Sequence, residues 1–216
     1  MLIEWNGHSE FLLESASGFR ILTDPFDPAT GYPMRRPGAD AVAVSHGHGD
    51  HSYVQKAVGS PKVLDAPGHT DLADGICADA VQADHDDCGG KKRGKTLLTR
   101  IRMDGLTIAH LGDLGCPLTR EQAGFLAGTD ILMIPVGGFF TIDGECAARI
   151  VRELSPKVVL PMHYKTRWNE SWPISGPEPF YEAMGLPMPD PVPLLRVTAE
   201  DISCLPATVL FRVPEE

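Results

Sequence analysis

The sequence predicts a single domain of the α/β or α+β class, and three observations lead there. Short apolar, β-branched runs alternate along the chain with segments of helical periodicity. The 216 residues, 43% of them hydrophobic, suffice for one sizeable core and are too few for two ordinary catalytic domains. No internal repeat or long low-complexity linker interrupts them, so the domain is taken as residues 1–216.

Taken in order, the apolar runs bounded by turn residues predict strands at Leu2–Trp5, Glu10–Glu14, Phe19–Thr23, Ala41–Val44 and Lys62–Ala66. A short apolar stretch, Ala80-Val81-Gln82-Ala83, follows. Further strands are predicted at Leu97–Met103, Leu106–His110, Ile131–Pro135, Lys157–Leu160 and Thr208–Val213. Helices are predicted at Ser52–Val58, Thr119–Ala127 and Asp143–Glu153, with a weaker one at Pro177–Met184. The third has Asp143 as N-cap, Ala147, Ile150, Val151 and Leu154 on one face, and Pro156 to end it. The proline-rich segment from Trp172 to Pro193 reads as an irregular surface excursion.

Charge and cysteine usage narrow the function. The net charge of −10 argues against a nucleic-acid partner, which calls for a basic face, and against an acidic membrane surface. The one basic cluster, Lys91-Lys92-Arg93, reads either as a small anion site or as a solvated loop between glycines. No apolar run is long enough to span a bilayer. The first residues carry no basic n-region and no apolar h-region, and the five cysteines are odd in number and widely spaced. The expectation is a reducing, cytoplasmic setting, a small-molecule substrate and no disulfide framework. A homo-oligomer is left open.

The chemistry is concentrated in Ser45-His46-Gly47-His48-Gly49-Asp50-His51, directly after the strand ending at Val44. Imidazoles and a carboxylate packed this closely on a loop at a strand's end are metal-ligand types held out toward a pocket. Later blocks repeat the pattern. His85 lies in Asp84-His85-Asp86-Asp87, Asp113 follows the strand ending at His110, and His163 follows the strand ending at Leu160.

This His-x-His-x-Asp-His motif, with Gly7-His8-Ser9-Glu10, Leu22-Thr23-Asp24-Pro25-Phe26, His110-Leu111-Gly112-Asp113, Pro135-Val136-Gly137-Gly138 and Pro161-Met162-His163-Tyr164-Lys165-Thr166 in order, resembles the metallo-β-lactamase superfamily of metal-dependent hydrolases. Within it the chain is most similar to the small prokaryotic branch that includes ascorbate-6-phosphate lactonase. The resemblance implies an αββα sandwich of four layers, with antiparallel-rich sheets inside. It implies a dinuclear site, with His46, His48 and His85 on one metal, Asp50, His51 and His163 on the other, and Asp113 between them. The metal-bound hydroxide would attack a carbonyl carbon or a phosphorus, cleaving an ester, lactone or phosphodiester of a small polar metabolite.

The imidazole-rich set, with His48 where related diiron oxidoreductases carry Glu, suits two Zn²⁺, with Mn²⁺ as the alternative. Asp50 is further expected to take a proton from the hydroxide, and His110 either to orient a ligand or to act as catalytic acid. His8, Tyr164 and Lys165 are expected to meet the substrate. Cys116 stands where the branch often has His. A diiron redox protein and a metal-binding module without catalysis are the alternative readings.

Overall fold

The computed structural model describes residues 1–215 and contains twelve strands and three α-helices. The first strands are β1 (Leu2–Gly7), β2 (Glu10–Glu14), β3 (Arg20–Thr23), β4 (Ala41–Ala43) and β5 (Lys62–Leu64). There follow β6 (Gly68–Ala73), β7 (Ile76–Asp84), β8 (Lys95–Met103), β9 (Leu106–His110), β10 (Ile131–Pro135), β11 (Val158–Met162) and β12 (Leu195–Arg196). The helices are α1 (Arg120–Leu126), α2 (Gly144–Leu154) and α3 (Glu178–Met184).

The strands form two six-stranded sheets, in the orders β12-β1-β2-β3-β4-β5 and β11-β10-β9-β8-β7-β6. Each is antiparallel over one part and parallel over the other: β3-β4-β5 and β9-β10-β11 run parallel. The β5–β6 connection carries the chain from one sheet to the other.

Strand alternation decides which side chains enter the core between the sheets. Ile3, Phe11, Leu13, Ile21 and Ala41 point inward to meet Leu98, Ile101, Met103 and Ile108 in one large cluster. Their neighbours Leu22, Val42 and Val44 point the other way and form a small second cluster with Ala39 and Ala57. β10 and β11 are buried at every position, as befits strands covered on both faces. The outer cover on that side is α2, which packs on β10, α1 and α3.

Capping follows the sequence closely. Asp143 accepts from the Cys146 N–H at 2.8 Å, and Thr119 forms a reciprocal capping box with Gln122.

Two predicted elements are corrected. Ser52–Val58 is not an α-helix; it contains a single 3-10 turn, Val54–Lys56, without a side-chain cap, after which Ala57 is extended and Val58 bridges to Gly38. The outer layer over the first sheet is therefore thin. Thr208–Val213 is not a strand; it makes isolated bridges through Thr208 and Phe211, since prolines in the facing 191–193 segment remove ladder donors.

Three strands lay outside the expectation. β6 is a polar edge strand with little burial, and β12 is only two residues long. β7 is rich in Ala and Asp and owes its extended form to pairing with β8 along nearly its whole length. Among the described residues, no helix is long and apolar enough to cross a membrane.

Candidate metal centre

One edge of the sandwich gathers the loops that follow β4, β7, β9 and β11, together with the tight β1–β2 turn. Their approach is close. The Leu97 N–H donates to the Ser45 carbonyl at 2.8 Å, and the Gly115 N–H donates to the Asp84 carbonyl at 2.9 Å. A Cβ at Gly115 would stand 2.2 Å from the Asp86 nitrogen, and one at Gly137 would stand 2.2 Å from the His163 carbonyl oxygen. Only glycine permits these contacts, which bring Asp113 beside His85 and seat the loop of His163.

The loops deliver three overlapping groups that could hold metal ions: His46, His48 and His85; His8, Asp50, His51 and His163; and His46, His51 and Asp113, each with ligand atoms within 4.8 Å of one another. His46 Nε2 lies 2.9 Å from His48 Nδ1. Asp113 stands between the groups: Oδ2 is 3.4 Å from His85 Nε2 and 3.3 Å from His163 Nε2, and Oδ1 is 3.3 Å from His51 Nε2. The ligands anticipated from the sequence thus converge, with Asp113 central.

Asp24 holds two of the imidazoles in register. Its Oδ2 accepts from His51 Nδ1 at 2.8 Å and from the Ser45 hydroxyl at 2.6 Å, while Oδ1 accepts from the Ser45 N–H at 2.7 Å. The Ser45 oxygen is also 2.9 Å from His46 Nδ1 and accepts its proton. Nε2 of both His46 and His51 is thereby the nitrogen that faces the site. A local signal for Asp24 did exist, an Asp-Pro turn closing a strand.

The electrostatics favour cations. Burial pushes His46 down to about 3, helped by the charge of His51, and pushes His8 down to about 4, helped by His163. Burial would raise Asp113, but the charges and hydrogen bonds of His163 and His51 outweigh it and hold the carboxylate well below its ordinary range. Burial would lower His51, yet Asp113 and Asp24 draw it well above. The same field that attracts a proton to His51 attracts a metal ion.

The donor chemistry therefore fits. Imidazole nitrogens and ionised carboxylate oxygens converge, and the buried Asp113 Oδ1 faces the His51 nitrogen at 3.3 Å.

Several expectations about individual residues change. His8, expected to meet the substrate, falls in the group with Asp50, His51 and His163 that could hold a metal ion, and it does not line the cavity. It is fully buried, with Nε2 3.1 Å from His51 Nε2 and 3.3 Å from Asp50 Oδ2. It adopts φ +53°, and its carbonyl accepts from the His163 N–H at 3.1 Å. Behind it, Glu10 and Lys56 form a fully buried pair at 2.6 Å, Asn6 donates to Glu10 at 2.8 Å, and Lys56 lies 3.1 Å over the Phe26 ring. This clamp ties the β1–β2 turn to the segment that follows His51.

His110 is not placed to act as a catalytic acid. Its Nε2 donates to the Ser9 carbonyl at 2.9 Å and its Nδ1 accepts from the Gly112 N–H at 3.1 Å, so both nitrogens are engaged in holding the turn that presents Asp113. Tyr164, expected to meet the substrate, does not line the cavity over the site. It is buried and stacks on Trp5 at 5.3 Å. Neither Lys165 nor Cys116 lines the cavity over the site. Burial raises the Cys116 thiol, with Asp84 adding to it, and keeps it protonated.

That cavity has a volume of about 400 Å³. His48, Asp50, His85, Asp113 and His163 form its floor, and Arg93, Phe140 and Trp172 stand in its wall. Arg93 ends the basic Lys91-Lys92-Arg93 run, one reading of which is a small anion site, whereas Phe140 and Trp172 come from loops whose composition carries no ligand signature.

Known proteins are similar to this chain in sequence and fold. Residues 2–163 match the family model described as Beta-lactamase superfamily domain. A UPF0173 metal-dependent hydrolase of Pelotomaculum thermopropionicum is 31% identical over 211 residues, covering 83% of this chain and 89% of the relative. One from Thermococcus onnurineus is 31% identical over 212 residues, covering 85% and 92%. A crystal structure from Thermotoga maritima, described as a candidate Zn-dependent hydrolase of the metallo-beta-lactamase superfamily, superposes with a TM-score of 0.78 at 31% identity over 97% of both chains. With the fold, the converging ligands and these relatives in agreement, the chain belongs to the metallo-β-lactamase superfamily and is a metal-dependent hydrolase of that superfamily.

Proposed function

We propose that the chain is a dinuclear zinc hydrolase, with Mn²⁺ as the alternative metal, that cleaves an ester, lactone or phosphodiester of a small polar metabolite. The observation that carries this reading is the position of Asp113, whose two oxygens face ligands of both groups. A carboxylate so placed serves two cations at once, which a single imidazole nitrogen cannot.

His46, His48 and His85 would hold the first ion. Asp50, His51 and His163 would hold the second, together with His8, whose Nε2 shares their space. Bound there, a metal pair supplies Lewis acidity and brings water into its nucleophilic form near neutral pH.

The chain's own residues do the rest. Asp24 fixes the tautomer and aim of His51, and through Ser45 those of His46. Asp50 lines the cavity floor, and its carboxylate is available to take a proton from water and return it to a leaving group. Although burial would raise Asp50, its hydrogen bond with His8 and the charge of His51 bring it well below the usual carboxylate value. His110 supports the Gly112–Asp113 turn from behind.

The test is elemental analysis of untagged protein beside hydrolysis of aryl esters, lactones and bis-aryl phosphates. About two zinc or manganese ions per chain together with turnover of one class is the expected result. Two irons, or no tightly held metal, overturns it and brings forward the redox or non-catalytic reading.

A further inference from the structure

The wall of the cavity carries a chemistry that its floor does not explain. Arg93 lines the cavity together with the ligand residues, Phe140 and Trp172. Its basic neighbours are already engaged: Lys92 pairs with Asp87 at 3.1 Å and Lys95 pairs with Asp84. Among the described residues the Arg93 guanidinium meets no carboxylate. It lies 5.5 Å from the Phe140 ring and 5.9 Å from the Phe139 ring.

This placement is built rather than incidental to a loose loop. The buried Asp86 carboxylate gathers the backbone N–H groups of Cys88, Gly90, Lys92 and Arg93 at 2.9, 2.8, 2.8 and 2.8 Å. The chain after His85 is thereby wound around Asp86, and the wind ends with Arg93 at the cavity. Phe140 meets Trp172 edge-on at 6.1 Å, and Trp172 meets His8 edge-on at 5.3 Å, so the aromatic wall is fastened to the site itself.

We propose that Arg93 is the anion-binding residue of this cavity. The substrate is then a small hydrolysable molecule with a flat apolar body and a carboxylate or phosphate remote from the bond that is cleaved. This inference rests on the hydrolase reading above and names the substrate class for the same site. A guanidinium presents a planar fork that matches two anionic oxygens, and stacking against an aromatic ring leaves that fork open. Phe140 and Trp172 offer faces and edges to a flat apolar body. A cavity of about 400 Å³ suits a metabolite-sized molecule. In a chain of net charge −10, an unpaired arginine facing the cavity separates anionic substrates from neutral ones at the point where it matters.

The test compares phenyl acetate with 4-acetoxybenzoate as substrates, and benzoate with phenyl phosphate as ligands read by tryptophan fluorescence and by competition. Wild-type protein of measured metal content is set beside Arg93→Gln and Arg93→Lys. We expect Arg93→Gln to raise KM for 4-acetoxybenzoate roughly ten- to hundredfold, the scale of a lost charged hydrogen bond. The loss falls more on KM than on kcat, and the constants for phenyl acetate change several-fold less than those for 4-acetoxybenzoate. Arg93→Lys recovers part of the loss, and the ligand bound more tightly by the wild type identifies the anion as carboxylate or phosphate. Equal effects on neutral and anionic esters, or ligand binding indifferent to Arg93→Gln, overturn the proposal while leaving the hydrolase reading intact. Arg93-dependent binding without hydrolysis of any ester, lactone or phosphodiester supports the subsite and overturns the hydrolase reading instead.

Discussion

The two ligand groups of the site differ in depth. His46, His48 and His85 grade from half-buried through exposed to buried, and His48 opens onto the cavity. In the other group His8, His51 and His163 are all buried, and only Asp50 is partly open. Their support differs too. His51 is braced by Asp24, and His46 by Asp24 through Ser45, whereas the exposed His48 side chain meets only other site imidazoles, those of His46 and His85. A buried imidazole is held by packing without the metal, while an exposed one loses side-chain freedom only when the metal arrives. The shallow group should therefore exchange its ion and meet the substrate, and the deep group should hold its ion as part of the structure.

The largest expected effect abolishes the comparison altogether. Asp113→Ala removes the carboxylate that faces both groups and should reduce bound metal at both. Elemental analysis should find well under two ions per chain, and the loss of activity should exceed the roughly 10–100-fold typical of an outer partner.

Next comes the clamp beneath the deep group. Lys56→Ala leaves Glu10 buried without its cation and should destabilise the fold by about 3–5 kcal/mol, seen as a lower urea midpoint. A change below about 1 kcal/mol would mean that Glu10 is protonated in the native state.

A chelator time course tests the depth difference directly. EDTA should withdraw metal in two phases. His48→Ala should remove the fast phase, and His8→Gln should turn the slow phase fast, with an effect of roughly tenfold on retention. Should His8→Gln leave the slow phase untouched, His8 is a packing residue and not a ligand.

The smallest effect is the surface counterpart of the His51–Asp24 pair. On the exposed edge, His69 hydrogen-bonds Asp79 at 2.7 Å, and this, with Asp71, raises its pKa. A histidine raised in the folded state stabilises fully below its unfolded value of about 6.5, and that contribution is lost as pH rises through the folded value. The Tm of His69→Gln should therefore fall slightly below that of the wild type at pH 5.5 and match it at pH 9.

Much of the fold was legible where side chains decide locally. Runs such as Ile131–Pro135 are buried on both faces and announce themselves, and Asp143 and Thr119 cap their helices as their types demand. The prediction of a helix at Ser52–Val58 erred because Lys56, an ordinary helix former by type, is drawn into the interior by Glu10, a partner 46 positions away. β6 and β7 escaped notice for the same kind of reason. Their residues have weak strand preference, and ladder hydrogen bonds to a neighbour supply what propensity does not.

The sequence by itself picked out the candidate metal ligands apart from His8, because imidazoles and carboxylates at short spacing after strands have few other uses. It also determined the helix ends, because a cap acts on backbone a few residues away. Only the tertiary structure decided the roles of His8, Asp24, His110, Tyr164 and Arg93. Each of these side chains takes its meaning from what faces it across the sandwich: a second imidazole, a ligand's far nitrogen, a carbonyl, an indole, a cavity. Those partners lie far along the chain, and no local pattern records which of them the folded sheets will bring within reach.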